Sequence, residues 1–343
     1  MKPEIATENS EVTVVDISAP MEVKYKLFAE IRSILEYSPT LIEEAVMRFI
    51  SDREEETVFR DQRNALYEIE DTEQRDSAFQ NFHLFWFAKL ALDTPLVESL
   101  CSYPFIISKV DRVAIVQAPA KKKEGAELFR KNDKLYSSDE KNTSILITLT
   151  PEQFRNTDRL LDYLRHELQH IEDILNPDFG YKIDSSDPKV SSLIDSLFLQ
   201  RYSVLWDLTV DGRLSNKEFQ TSLPKKIHFE KFQQTFQLPL GESSKLFDYF
   251  FDNPNPMHEK LVDFVVDPLG WLKDRKDAKD ISKGNCSLCT FSSTDLSVIP
   301  KLFSEEIIEL IQKENLDWKL SDPVCGQCID IYESRLTVTG LLE

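Results

Sequence analysis

The order of apolar and polar positions divides the chain into a helical first third, a short β-rich stretch and a longer, mainly helical remainder. From Met21 to about Cys101 apolar residues recur at helical spacing. Leu27, Ile31 and Leu35 lie four apart, Ile42, Val46 and Phe49 follow, and Glu- and Arg-rich stretches supply the wet faces. Pro39 and Pro95 mark breaks in this pattern. The first twenty residues read as a loose arm with a short extended piece at residues 12–17. His83, within Phe82-His-Leu-Phe-Trp-Phe, sits in so aromatic a run that it reads as a packed or hydrogen-bonded core histidine rather than a ligand.

Between residues 105 and 150 the period shortens. Phe105-Ile-Ile-Ser-Lys-Val, Arg112-Val-Ala-Ile-Val-Gln and Ser144-Ile-Leu-Ile-Thr-Leu are β-branched runs and predict strands of a small sheet. Residues 144–149 are expected at the sheet edge, and residues 121–141 as a charged loop. Thr150-Pro-Glu-Gln then leads into one long helix over residues 158–175, ended by Asn176-Pro177. Counted at 100° per residue, Leu160, Leu164, Leu168, Ile171 and Leu175 fall in one stripe about 80° wide, and His166 and His170 fall together off it. The helix is therefore expected to pack through its leucines and to present its histidines to a cleft.

A loop with Pro177, Gly180 and Pro188 precedes a second apolar helix over residues 190–214. Shorter helical pieces follow at 244–251 and 258–265, then a charged linker at 273–280, and the last section carries an amphipathic helix near 303–313. No internal repeat or low-complexity tract interrupts this order. The pattern predicts an α+β, predominantly helical fold in three parts: an N-terminal helical region (1–104), a core with a small sheet (105–275) and a cysteine-bearing module (280–343).

Composition narrows the class of partner. A chain of 343 residues with 41% hydrophobic residues and 22 Phe can bury a large core. The net charge of −19 argues against a nucleic-acid partner, because affinity for a phosphate backbone comes from Lys and Arg displacing counterions. No run approaches 18 uninterrupted apolar residues, and the first twenty contain no apolar stretch of signal-peptide length, so neither membrane insertion nor export is expected. Four of the five cysteines form two Cys-x-x-Cys pairs, which without an export signal points to thiolates on a metal in a reducing cytoplasm.

The segment with the most specific chemistry is His166-Glu167-Leu-Gln-His170. Two imidazoles four apart on a helix can converge on one metal ion, and Glu167 is then placed to act as general base toward a water beside it. Asp207 and Asp211, in Trp206-Asp-Leu-Thr-Val-Asp211-Gly, also share a helical face; the equal alternative to ligation is a helix terminator at Asp211-Gly212 with Asp207 a solvated side chain. Glu172, Asp173 and Glu218 are reserve ligand candidates, and His228 or Tyr202 could stabilise an oxyanion.

This arrangement resembles the zincin metallopeptidases, and among them the gluzincin branch. The resemblance implies a mixed sheet whose edge strand aligns a peptide substrate, followed by the HExxH helix and a second helix bearing Glu-x-x-x-Asp. It implies Zn2+ held by His166, His170 and Asp207, with Asp211 bracing His166 from the second shell or serving as the alternative ligand. Aspartate stands where the branch has glutamate, and Glu172 is charged where many such helices are apolar. A SprT/Spartan-like protease is a lesser resemblance; that family has a third histidine after the motif, and none follows here.

Cys286-Ser-Leu-Cys289 and Cys325-Gly-Gln-Cys328, 35 residues apart, supply the four soft ligands of a closed structural zinc, with Gly284 and Gly326 suited to tight knuckle turns. The tail is expected to be a zinc ribbon with a helical insertion and a possible protein-docking module, while Cys101 reads as a small buried apolar residue. The expected function is a zinc-dependent peptidase with one catalytic and one structural ion, acting on a peptide or protein. The alternative is a non-catalytic zinc-binding scaffold.

Overall fold

A computed structural model describes residues 21–51, 53–130, 143–182, 192–272, 284–293, 295–297 and 304–339. The extended piece expected at residues 12–17 and the linker at 273–280 lie outside the described residues. The fold is α+β and predominantly helical, as the apolar periodicity predicts. It divides into two compact units, residues 1–176 and 177–343. That division falls within the segment read from sequence as a 105–275 core.

The first unit begins with α1 (Met21–Ile34), which runs directly into the short strand β1 (Leu35–Tyr37). Four helices follow: α2 (Pro39–Ile50), α3 (Glu56–Ala65), α4 (Thr72–Lys89) and α5 (Thr94–Cys101). Pro39 and Pro95 stand at helix starts rather than mid-helix, where a missing N–H costs nothing. Asp71 caps α4 by accepting from the Gln74 amide at 2.8 Å.

Two of the expected strand positions are corrected here. Residues 105–110 form a helix, α6 (Pro104–Lys109), because Pro104 at its first position pre-sets helical φ, and this outweighs the β propensity of Ile106 and Ile107. The charged stretch after Lys121 is not all loop: Gly125–Arg130 is a strand, β3. It joins β2 (Arg112–Gln117) and β4 (Thr143–Leu149) in a sheet of order β1-β2-β4-β3. The strands β1, β2 and β4 run parallel, and β3 is antiparallel to β4, with Ala126 opposite Ile147. The edge beside the helix of interest is therefore β3, and β4 is interior. Polar, half-exposed residues suit an outer strand, which is why the composition of β3 resembles a loop.

Next comes α7 (Thr157–Leu175), capped by the Asn156 carboxamide accepting from the Arg159 amide at 3.0 Å. Its stripe Leu160, Leu164, Leu168 and Ile171 is fully withdrawn from solvent and joins one core with Val113, Ile115, Ile145 and Ile147. Each such side chain contributes about 2 kcal/mol of apolar burial, enough to fix which face of α7 turns inward. Tyr103 reinforces that choice by donating its hydroxyl to the Arg165 carbonyl at 2.7 Å.

The second unit opens with α8 (Ser192–Asn216). A terminator at Asp211-Gly212 is not found; the helix runs on to Asn216. Gly212 instead permits close approach, since a Cβ there would stand 1.8 Å from the Phe251 carbonyl oxygen. Around α8 lie α9 (Lys225–Phe236), α10 (Leu240–Phe251) and α11 (His258–Val266), joined by a phenylalanine-rich core that includes Phe232, Phe247, Phe250 and Phe264. The tail contributes the two-residue ladders β5 (Gly284–Asn285) with β6 (Ser292–Ser293) and β7 (Leu296–Ser297) with β8 (Val324–Cys325). Two helices, α12 (Glu305–Glu314) and α13 (Gly326–Thr339), complete it. Helix supplies more of this module than ribbon does, because Ile329 and Tyr332 follow Cys328 at helical rather than alternating spacing.

Candidate metal centres

In the first unit, α7 brings two imidazoles to one point. His166 Nε2 lies 3.3 Å from His170 Nε2, with the rings nearly edge to face. Two nitrogens bonded at about 2.05 Å to one tetrahedral ion would stand about 3.3 Å apart, so the pair fits a shared metal without rearrangement. His166 is buried and His170 half-buried, which gives one side of the pair access to solvent.

Glu167, between them in sequence, reaches the sheet. Its Oε2 accepts from the Ala126 amide of β3 at 3.1 Å. The carboxylate is thus oriented by a backbone donor at the sheet edge. Gly125 adjoins it, and even a Cβ there would remain 3.8 Å from Glu167 Oε2. Tyr163, one turn earlier on α7, has its hydroxyl pushed well above the ordinary phenol range by burial, then by the negative charges of Glu167 and Glu124. Glu124 is itself held by the Thr150 amide at 3.1 Å, the Thr150 hydroxyl, and the Gln153 carboxamide at 2.6 Å. Of the reserve ligands, Glu172 and Asp173 accept from Gln169 Nε2 at 3.0 and 3.4 Å. Glu218 lies just past the end of α8 in a left-handed conformation.

In the second unit, Asp207 and Asp211 stand one turn apart on α8 but in different surroundings. Asp207 is half-buried. Asp211 is wholly buried, and its Oδ2 accepts from Ser222 Oγ at 2.7 Å, from the Leu223 amide at 3.1 Å and faces His228 Nε2 at 2.6 Å. The two oxyanion candidates are likewise placed: His228 on Asp211, and Tyr202 with its hydroxyl 2.6 Å from His258 Nδ1.

Also in the second unit, the two Cys-x-x-Cys pairs come together as a buried cluster that could hold a metal ion, all four Sγ atoms lying within 4.8 Å of one another. The Cys286–Cys328 and Cys289–Cys325 sulfurs are each 3.8 Å apart. That distance excludes disulfides, which need about 2.05 Å. It matches the edge, about 3.8 Å, of a tetrahedron whose centre lies about 2.3 Å from each sulfur. The Cys325 amide donates to Cys286 Sγ at 3.3 Å, as a knuckle does for a thiolate.

Neither knuckle glycine adopts a left-handed backbone. That conformation falls to Thr290, with φ of 63°, while Gly284 and Gly326 make room for Leu296 and Asp295. Cys101 stands apart from both centres, half-buried, its thiol pushed up to about 11 by burial and then by Glu98.

The Ala126 amide on Glu167 and the neighbourhood of Arg201 beside the cysteines were not visible in the sequence. A backbone donor has no side-chain signature, and Arg201 reads as one polar residue of an apolar helix. Among the described residues no helix is long and apolar enough to cross a membrane. Compared with protein-family models, curated proteins and solved structures, the chain matches none of them.

Proposed function

We propose that this protein is a zinc-dependent hydrolase of the zincin type, acting on peptide bonds, with His166 and His170 as ligands of the working ion. The observation that carries the reading is the 3.3 Å approach of the two imidazole Nε2 atoms, with Glu167, between them in sequence, braced by the Ala126 amide. Asp207 is the third ligand, argued from its spacing after the motif. Asp211 is committed to Ser222, Leu223 and His228, so its part is to hold α8 in place.

A divalent ion in this site, when bound, polarises a carbonyl and makes an adjacent water acidic near neutral pH. Glu167 would take a proton from the water that attacks the carbonyl carbon and pass it to the departing amine. The Ala126 donor limits how far the carboxylate can swing. The antiparallel edge strand β3 offers the backbone along which an extended peptide would lie. The four-cysteine cluster is a structural metal site, having no open ligand position.

The test is hydrolysis of a mixed peptide library by wild type and Glu167→Gln, with metal content measured in both. The expected result is two metal ions per chain in each protein and a loss of about 100-fold or more in rate for the variant. Equal rates would remove Glu167 as the base. His166→Ala or His170→Ala should leave one ion, held by thiolates. Metal content unchanged by either substitution would favour a non-catalytic zinc-binding scaffold.

A further inference from the structure

Arg201 is a buried cation with no carboxylate to balance it. It lies on α8, is 3% exposed, and among the described residues makes no ion pair with Asp or Glu. Its Nε and Nη2 donate to Gln327 Oε1 at 3.2 and 2.7 Å, and its Nη1 to the Val265 carbonyl at 3.3 Å. The guanidinium also stands 4.7 Å from the centre of the Phe291 ring. All of these partners are neutral. An isolated charge so placed is costly to bury, and neutral acceptors recover only part of what hydration supplied.

The neighbourhood supplies the missing charge. Gln327 is the residue between Gly326 and Cys328 in the second knuckle, and Phe291 follows the first knuckle by two residues. Burial works against the charged guanidinium and lowers its pKa, and all four cysteines lie close enough to oppose that effect in part. A divalent ion bound by four thiolates has a net charge of −2. Burying that dianion is as costly as burying the cation, and each lowers the cost of the other.

We propose that Arg201 is the counter-charge of the metal-loaded four-cysteine cluster, a positioning residue that sets the metal affinity of the cluster and makes retention of α8 against the knuckles depend on the metal. The inference rests on the reading of the cysteine cluster as a metal site. The device is reciprocal. Metal in the cluster stabilises the buried cation, and the cation strengthens metal binding by the same free energy. Gln327 links the two, because it receives the guanidinium fork through Oε1 and donates through Nε2 to the Thr235 carbonyl on α9 at 2.5 Å. Loss of the ion would therefore leave Arg201 unbalanced at the junction of α8, α9 and the second knuckle.

The experiment titrates Zn2+ against a competing chelator, and Co2+ with its thiolate charge-transfer absorption, in full-length wild type, Arg201→Met and Arg201→Lys. Zn2+ affinity at the thiolate site should fall about 10–100-fold in R201M and largely recover in R201K, which keeps the charge and loses the planar fork. Removing the metal should lower the melting temperature of wild type more than that of R201M, since only wild type is left with an unbalanced cation. Equal affinity in wild type and R201M, or an equal drop in melting temperature on chelation, overturns the proposal. Should R201M not fold, R201K decides: near-wild-type affinity supports the role of charge, and affinity lost to the point that no thiolate bands form overturns it. A wild-type protein that shows no thiolate bands with Co2+ would instead refute the metal reading of the cluster itself, an outcome distinct from the failure of Arg201.

Discussion

His228 Nε2 lies 2.6 Å from Asp211 Oδ2, and both side chains are sealed from solvent. The contact ties α9 to α8, and the same oxygen holds the turn at Ser222 and Leu223. A carboxylate with these partners serves the architecture, which separates its role from that of Asp207 one turn earlier. Asp211→Ala should destabilise the second unit by about 3 kcal/mol, because it strands buried polar partners without an acceptor. Asp207→Ala should cost little stability and should release the metal of the histidine site. Denaturant unfolding followed by tryptophan fluorescence, together with metal analysis, separates the two. Reversed outcomes would exchange their assignments.

Gly212 stands mid-helix, where alanine is ordinarily preferred by about 1 kcal/mol. The Phe251 backbone leaves no room for a Cβ, and backbone cannot swing aside as a side chain can. Gly212→Ala is therefore expected to be net destabilising, its overpacking cost of about 1–3 kcal/mol outweighing the gain in propensity. A melting temperature raised by the substitution would contradict the packing of α8 on α10.

The cysteine cluster predicts a separable metal. Cys286→Ser should remove one ion per chain, leave the ion at His166 and His170 bound, and lower the thermal stability of the second unit by several degrees. Elemental analysis with differential scanning calorimetry reads both quantities. Retention of two ions would show that Cys286 is not a ligand.

His83 introduces a pH dependence into the first unit. Burial among Phe59, Phe79 and Phe82 holds its pKa below the ordinary imidazole value, and among the described residues its Nε2 meets no hydrogen-bond partner. The unfolded chain therefore binds the proton more readily than the folded one. The stability contributed by neutral His83 is complete above about pH 6.5 and is lost as pH falls through the folded value. Thermal melts from pH 8 to pH 5 should show a decline that is shallower in His83→Leu. Parallel profiles would remove His83 as its source.

Much of the fold was legible because local physics and burial agree. The leucine stripe of α7 is visible as a period and is buried as that period requires, and the cysteine spacing marks the residues that cluster. Where local and tertiary preferences diverge, the reading failed. Ile106 and Ile107 favour a strand, but Pro104 starts a helix; β3 looks like a charged loop because an edge strand has one flank in water; and Asp211-Gly212 looks like a terminator because close approach to Phe251 leaves no local trace.

The sequence by itself determined the chemistry available, namely two imidazoles and a carboxylate on one helix, four cysteines in two pairs, and a net charge of −19. These are properties of residue type and short spacing, and folding cannot change them. Only the tertiary structure decided which partners those groups meet. It placed the Ala126 amide on Glu167, His228 on Asp211 and Arg201 beside the cysteines, because each of those contacts joins residues far apart in the chain whose meeting is set by packing rather than by period.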